Sequence, residues 1–388
     1  MDEVRIVSAK TFIVSLPVRR PQLWAGLGTP PKGYVVLKLE LSNGATGWGE
    51  SQPIPTWGGD DATRYGETPA TTVALIERIL VPALADVDVS RFDQVHDKMD
   101  TVLRGYPYAK AAVDVAILDG VARGLNIPVY QLLGGRYRDT VAVAHSIGLM
   151  SAEAAALEAT QVVADGICTL KIKIGVEPDR DVETVRLIRD AVGPAVTLRL
   201  DANQGYKNWR DAVAILKRMA PYGVAYAEQM VMGKDELAEV SRRSDVPIMA
   251  DESSWTSRDV LELARKNAAQ YLSTYYTKPG GLWRAKRLLT VAGACGMQSD
   301  INGSGEMGIG NAANVHLAAA CPEITLAGTI PVTSTSECQR TKVGGRKYLD
   351  DIVTNPPEYN NGFIVVPDGP GLGVTVDEEK IRKYTVEA

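Results

Sequence analysis

The chain has 388 residues, of which 45% are hydrophobic and 23% charged, with a formal net charge of −5. That length exceeds one ordinary core and predicts two domains, one of them a barrel of roughly 200–250 residues. The acidic balance without a basic block argues against a nucleic-acid partner, no run of about 18 apolar residues is present to span a membrane, and Met1-Asp-Glu-Val-Arg5 lacks a signal-peptide layout, so a cytoplasmic location is expected.

Residues 1–132 read as strands followed by helices, an α+β capping domain. Residues 4–16 and 34–41 alternate apolar and polar, and Asn43-Gly44 marks a hairpin turn before Gly47-Trp48-Gly49. Two long stretches, 19–33 and 53–68, carry aromatic and charged residues. Loops of that length are more often functional than idle, so Trp24, Trp57, Arg64 and Tyr65 become candidate substrate contacts. From 69 to 124 the pattern turns helical, with Ala111, Val115, Leu118 and Val121 on one face. Leu132-Leu-Gly-Gly135 closes this part.

From about 141 a strand–rim–helix beat sets in and gives residues 133–350 as a barrel. The apolar runs are 141–149, 168–175, 196–203, 224–230, 246–253, 271–278, 297–304 and 325–331. Eight such beats imply a (β/α)8-type barrel, and no GxGxxG follows the first strand to suggest a dinucleotide fold. The tail, 351–388, has turn and strand signals and is expected to pack back on the cap. Cys168, Cys295 and Cys321 sit in apolar surroundings, Cys338 lies apart from them, and none forms a CxxC pair, so they read as buried thiols.

Chemistry concentrates where these strands end. Asp201, Glu228 and Asp251 close the third, fourth and fifth runs, each one beat apart, so they reach one rim together. Taken singly, each is an ordinary solvated acid. In register they repel unless a cation neutralises them, and an all-oxygen donor set suits Mg²⁺ rather than zinc. Lys171 and Lys173 are two apart on the second run and leave the same strand face. Lys173 stands nearer the rim. A lysine beside a divalent cation and another ammonium gives up its proton more readily, which makes Lys173 the better base.

Lys171-Ile-Lys173, Asp201-Ala-Asn203, Glu228-Gln229, Asp251-Glu252-Ser253 and Lys278-Pro-Gly-Gly281 in this order resemble the enolase superfamily, in its muconate-lactonizing branch, beside mandelate racemase-like proteins. The resemblance extends to Gly47-Trp-Gly-Glu50 in the cap and Pro370-Gly-Leu-Gly373 in the tail. It implies a modified TIM (β/α)7β-type barrel with an N-terminal α+β capping domain. It also implies Mg²⁺ held by Asp201, Glu228 and Asp251, with Asn203 and Glu252 supporting that shell. Lys173 would then take the proton α to a carboxylate, and the metal would spread the enolate charge. A homo-oligomer is a further implication.

The sequence departs from that pattern on the sixth strand, where the branch normally places a second acid/base lysine and this chain has Tyr275. Lys278 lies three residues on and reads as structural. A phenol donates a proton at neutral pH but is a poor base, so chemistry on one face is favoured over racemisation. Asn302, Ser304 and Glu306 supply polar groups near the seventh strand's rim. His316 reads as a structural helix histidine, and His145 stays open between site and scaffold. The eighth run lacks the acidic pair that dipeptide epimerases use. The expected activity is therefore muconate cycloisomerase-like: cycloisomerisation or syn elimination of water from a small carboxylate. A racemase or epimerase of an amino- or hydroxy-acid derivative is the alternative, and a non-catalytic, metal-stabilised binding protein a remote one.

Overall fold

The structure is a computed structural model that describes residues 3–26, 33–60, 66–303, 305–333 and 341–387. Three antiparallel strands open the chain in the order β1 (Ile6–Val14), β2 (Tyr34–Leu41) and β3 (Thr46–Ser51). The β2–β3 hairpin turns at Gly44, whose φ of 81° is open to glycine at no steric cost. The helix Pro107–Gly124 lies across this sheet and is buried from Tyr108 to Ala122.

The single apolar face expected of that helix is thus an understatement, because the helix serves two cores. Ala111, Val115 and Leu118 pack in the large core shared with the barrel. Ala112, Val113, Ala116, Ile117 and Val121 pack in a smaller core against β2. Close approach to β3 is possible because Gly47 and Gly49 face the helix. A Cβ on Gly49 would stand 2.0 Å from the Ala112 carbonyl oxygen.

Strand β4 (Thr140–Ala142) leads into seven parallel strands: β5 (Ala144–Ile147), β6 (Thr169–Lys173), β7 (Thr197–Asp201), β8 (Val224–Glu228), β9 (Ile248–Ala250), β10 (Tyr271–Thr274) and β11 (Gln298–Ile301). They pair in sequence order into a curled sheet with helices between them. The eighth run does not form a strand. Ile324 makes one parallel bridge to Ser299 on β11, and Gly328 makes one to Val143 beside β5. The chain crosses from one edge of the sheet to the other between these two bridges, too short a passage for a ladder on either side. The parallel barrel is closed by this irregular seam.

The tail contributes β12 (Tyr359–Asn360) and β13 (Phe363–Val365), and β13 pairs antiparallel with β4. It therefore touches the barrel as well as the cap, where Leu372 N–H donates to Asp119 at 2.7 Å and Val386 N–H donates to the Ile13 carbonyl at 2.8 Å. Buried acids join the parts. Glu50, at the end of β3, accepts the Met307 and Gly310 N–H groups at 2.7 and 2.8 Å, at the start of the barrel helix Gly308–Ala320. Carboxylates satisfy the free N–H groups that every helix start exposes. The cysteines are less uniform than expected: Cys321 is buried, Cys295 intermediate and Cys168 exposed, while Cys338 lies outside the described residues. Among the described residues, no helix is long and apolar enough to cross a membrane.

The glycine contact yields a test. Gly49→Ala should force the helix Pro107–Gly124 off β3 and cost at least about 1–3 kcal/mol, the usual penalty of an overpacked core. A lowered urea midpoint at unchanged slope is the expected reading; an unchanged midpoint would show the helix and sheet to be loosely joined.

Candidate active site

Strand register sets the geometry of the barrel mouth. Lys173 pairs with Asp201 across β6 and β7, and Asp201 pairs with Glu228 across β7 and β8. Glu228 pairs in turn with Met249 on β9, so Asp251 sits two residues further along. The side chains are nearly sealed from solvent: Asp201 and Glu228 are 0% exposed, Asp251 2%, Lys171 3% and Lys173 8%. Charges that deep must be paired, because an unpaired buried ion costs several kcal/mol.

The pairing is specific. Lys171 Nζ lies 2.8 Å from both Asp201 Oδ2 and Glu228 Oε1. Lys173 Nζ donates to Asp201 Oδ2 and to Asn203 Oδ1, both at 2.6 Å. Asn203 donates onward from Nδ2 to Glu252 Oε1 at 3.1 Å. Lys278 proves to be Asp251's partner: β10 ends at Thr274, the chain turns, and Nζ reaches Asp251 Oδ1 at 2.5 Å, the Asp251 carbonyl at 2.9 Å and the Ser273 carbonyl at 2.6 Å. That environment fits the structural reading of Lys278.

Titration follows this arrangement. Burial alone would lower Lys171, but Asp201 and Glu228 hold its ammonium well above the ordinary lysine range. Burial would raise Asp201, yet two ammonium groups keep it below the usual carboxylate range. Glu228 shares only one of those cations, and burial together with Asp201 pushes it up. Burial and the nearby Asp251 carboxylate hold the Tyr275 phenol well above its ordinary value, so it stays protonated.

The same residues can be tested against a divalent cation. Glu228 Oε2 and Glu252 Oε2 are buried and meet no hydrogen-bond donor. An all-carboxylate set with unsatisfied oxygens has the chemistry of a hard, oxygen-liganded ion. The inner oxygens otherwise face ammonium groups, and among the described residues no three acidic, histidine or cysteine side chains already converge on one point. The donor chemistry fits a divalent ion; the arrangement is that of lysines standing where positive charge is needed.

A cavity opens above these groups, lined by Lys171, Lys173, Asp201, Asn203, Asp251, Tyr275 and Asn302 on the barrel side and by Trp24 and Trp57 from the cap. The Lys173 ammonium stands 5.5 Å from the centre of the Trp24 ring. Trp57 packs with Ile54, Tyr108 and Trp255, and Asp60 ties its loop to the barrel by accepting from Gln204 Nε2 and Gly233 N–H at 2.9 and 3.0 Å. Asn302 donates to Ser273 Oγ at 2.7 Å. Glu228 is buried behind the cavity wall, Glu252 lines a neighbouring cleft, and Glu306 is buried near Glu50 rather than lining the cavity. Arg64, Tyr65 and Ser304 lie outside the described residues.

Several contributors were not singled out from sequence. Gln229, at φ 38°, accepts the Asp251 and Ser253 N–H groups at 2.9 and 3.2 Å and so fastens the ends of β8 and β9 together. Arg199, one layer below Asp201, is fully buried with Asp300 at 2.6 Å. His145 does line the cavity, but both ring nitrogens are committed. Nδ1 accepts the Gly345 N–H at 2.9 Å, so Nε2 carries the proton and donates to Glu158 at 2.8 Å. Burial lowers the His145 pKa and keeps the ring neutral. His316 is buried, stacks on Tyr130 and plays no part in the cavity.

Two family models match the chain. Residues 7–134 fit the mandelate racemase / muconate lactonizing enzyme N-terminal domain, and residues 154–380 fit the enolase C-terminal domain-like family. Muconate cycloisomerase 1 of Rhodococcus opacus is 32% identical over 99% of this chain and 100% of its own length. The crystal structure of N-succinyl Arg/Lys racemase from Bacillus cereus superposes with a TM-score of 0.89 at 28% identity, covering 99% of this chain and 98% of that one. That of muconate lactonizing enzyme from Pseudomonas fluorescens complexed with muconolactone gives 0.88 at 28% identity, covering 99% and 100%.

The Glu158 cluster makes a prediction about acid stability. Burial would raise this acid, but hydrogen bonds from His145 and Arg20 bring it down to about 2. A depressed carboxylate stabilises the fold fully above its unfolded pKa and ceases to do so as pH falls through its folded value. Wild-type stability should therefore fall between pH 4.5 and 2 by up to about 3 kcal/mol from this group. Glu158→Gln should be less stable at pH 7 and show a shallower acid limb in denaturant titrations; parallel limbs would contradict the assignment.

Proposed function

The chain belongs to the mandelate racemase/muconate lactonizing enzyme family of the enolase superfamily and is an enzyme of that superfamily, and on that premise we propose that Lys173 takes the proton α to the carboxylate of a small acid. The family typically uses a divalent metal, and its members divide between cycloisomerases and racemases or epimerases. For this chain the proposed outcome is cycloisomerisation, or syn elimination of water.

The observation that carries the reading is the placement of Lys173. Its Nζ faces the cavity under Trp24, fixed by Asp201 and Asn203, while the strand opposite in the ring offers Tyr275 in place of a second lysine. Asp201, Glu228 and Asp251 are the proposed holders of Mg²⁺, with Asn203 and Glu252 supporting them. When bound, the ion supplies positive charge next to the carboxylate oxygens that become electron-rich as the α-proton leaves. Lys173, held by Asp201 and Asn203 at the cavity wall, is the group placed to accept the proton.

From there the side chains divide the work. Lys173 removes the proton on one face and can return it to a leaving hydroxyl on the same face, which is the requirement of syn elimination. Lys171 remains an ammonium beside the growing negative charge. Tyr275, kept protonated, donates a hydrogen bond or a proton from the other side but does not remove one. Racemisation needs a group on each face that both gives and takes a proton; the racemase among the relatives keeps that reading as the alternative.

Incubation in D₂O with Mg²⁺ and a panel of hydroxy acids, amino-acid derivatives and unsaturated diacids, followed by ¹H NMR, tests the proposal. Lys173→Ala should lower α-exchange about 10²–10⁴-fold, and Tyr275→Phe should slow net turnover more than exchange. Full activity in Lys173→Ala would overturn the reading. Appearance of both enantiomers from one, with no loss of water and no ring closure, would select the racemase alternative.

A further inference from the structure

The barrel closes at a seam that its backbone holds only at isolated points. Between the bridge of Ile324 to Ser299 and the bridge of Gly328 to Val143, the chain has left one edge of the sheet and not yet joined the other. Ala327 lies in that gap. Just beyond it, Thr329, Ile330 and Pro331 line the cavity, and the Thr329 hydroxyl is hydrogen-bonded to the Asn302 side chain. Asn302 in turn donates to Ser273 Oγ at 2.7 Å and lies 3.4 Å from Glu228 Oε1. Where the seam sits therefore decides where part of the cavity wall sits.

A side chain from the barrel interior meets the gap. Arg199 stands on β7, beside Lys171 on β6 and Tyr226 on β8 in the strand register. It is 0% exposed. A single nitrogen, Nη1, lies 2.6 Å from Asp300 Oδ2 on β11, 3.1 Å from the Tyr226 hydroxyl and 3.2 Å from the Ala327 carbonyl oxygen. The other two guanidinium nitrogens, Nε and Nη2, and the second oxygen of Asp300 are buried and meet no hydrogen-bond partner among the described residues. As a source of stability this is a poor arrangement. A buried ion pair with unspent donors does no better, as a rule, than well-packed apolar side chains of similar size. What it supplies is position, because all three contacts fall on the one atom where β8, β11 and the seam converge.

We infer that Arg199 is a positioning residue that pins the closing segment of the barrel from inside and so fixes the cavity wall formed by Thr329, Ile330 and Pro331. The ion pair with Asp300 anchors the guanidinium on β11. Its bond to the Ala327 carbonyl then holds the chain where no ladder does. Arg199 does not line the cavity and takes no part in proton transfer. Its effect on turnover rests on the proposed function; its hold on the seam does not.

Hydrogen exchange of the full-length protein, read by mass spectrometry without substrate, tests that hold directly. Arg199→Met combined with Asp300→Leu removes both charges together, so neither is stranded. Peptides covering residues 322–332 should then exchange about ten-fold faster than in the wild type, the usual worth of a lost bond from a charged donor. Those covering β6 to β9 should keep their protection. Arg199→Gln with Asp300→Asn, neutral but still polar, should give the same pattern and carries the test if the first pair does not fold. Arg199→Lys keeps the ion pair and its donors on a long stem, and should restore most of the protection. With Mg²⁺ and the acid of the panel above that the wild type exchanges fastest, the paired variants should raise KM about five-fold and leave kcat nearly unchanged, the mark of lost binding rather than lost chemistry. Unchanged protection at 322–332, an equal loss all around the sheet, or a loosened seam with an unaltered KM overturns the inference. If the wild type turns over no acid of the panel, the proposed function falls, and the exchange pattern alone decides for or against Arg199.

Discussion

Three ammonium groups facing three carboxylates at the ends of neighbouring strands are the constraint on which this molecule depends. Lys171, Lys173 and Lys278 neutralise Asp201, Glu228 and Asp251 in a region almost without solvent. Removing one partner from a buried pair typically costs about 3–5 kcal/mol, because the other charge is stranded. The acids are placed by strand register, and register in a parallel sheet is set by the buried faces of every strand. The geometry of the mouth is therefore a property of the whole barrel. Below it, Arg199 and Asp300 repeat the device one layer down, and Gln229 fastens two strand ends so that Asp251 is presented at a fixed height.

The cap adds what the barrel lacks. Barrel strands provide charged groups at precise heights but no apolar roof. Trp24 and Trp57 come from the cap's two long loops, and the second loop is tied down through Asp60. The helix Pro107–Gly124, packed on both sides, carries rigidity from the cap sheet into the barrel's own core. Glu50 extends that join by holding the start of a barrel helix. Loops placed by so firm a scaffold can vary without loss of the fold.

Much of this could be read in the amino-acid order, for reasons that differ by element. The seven parallel strands announced themselves because each is an apolar run ending in charge, and the acids at one-beat spacing followed from them. The eighth run looked like the others, but pattern cannot tell a strand from a short passage that touches two edges at single points, as Ile324 and Gly328 do. Lys278 reads as structural from its odd step past Tyr275, but its partner is not legible: β10 ends before it, and the turn that sends its amine to Asp251 depends on tertiary contacts. The place of Arg199 is not legible either, since Asp300 and Ala327 lie 101 and 128 residues further along the chain. His145 is ambiguous in sequence because its role is set by Gly345 and Glu158, distant residues that occupy its two nitrogens.

The seam between β11 and β5 has a consequence for how such a protein changes over time. Everywhere else around the ring, a substitution that moves the backbone must break a run of ladder hydrogen bonds. Here only isolated bridges hold, and the residues just beyond them, Thr329 to Pro331, already border the cavity. Insertions or exchanges at this join act on the pocket wall without altering the strands that carry Lys171, Lys173, Asp201 and Glu228. It is the gap through which one scaffold can acquire a different appetite.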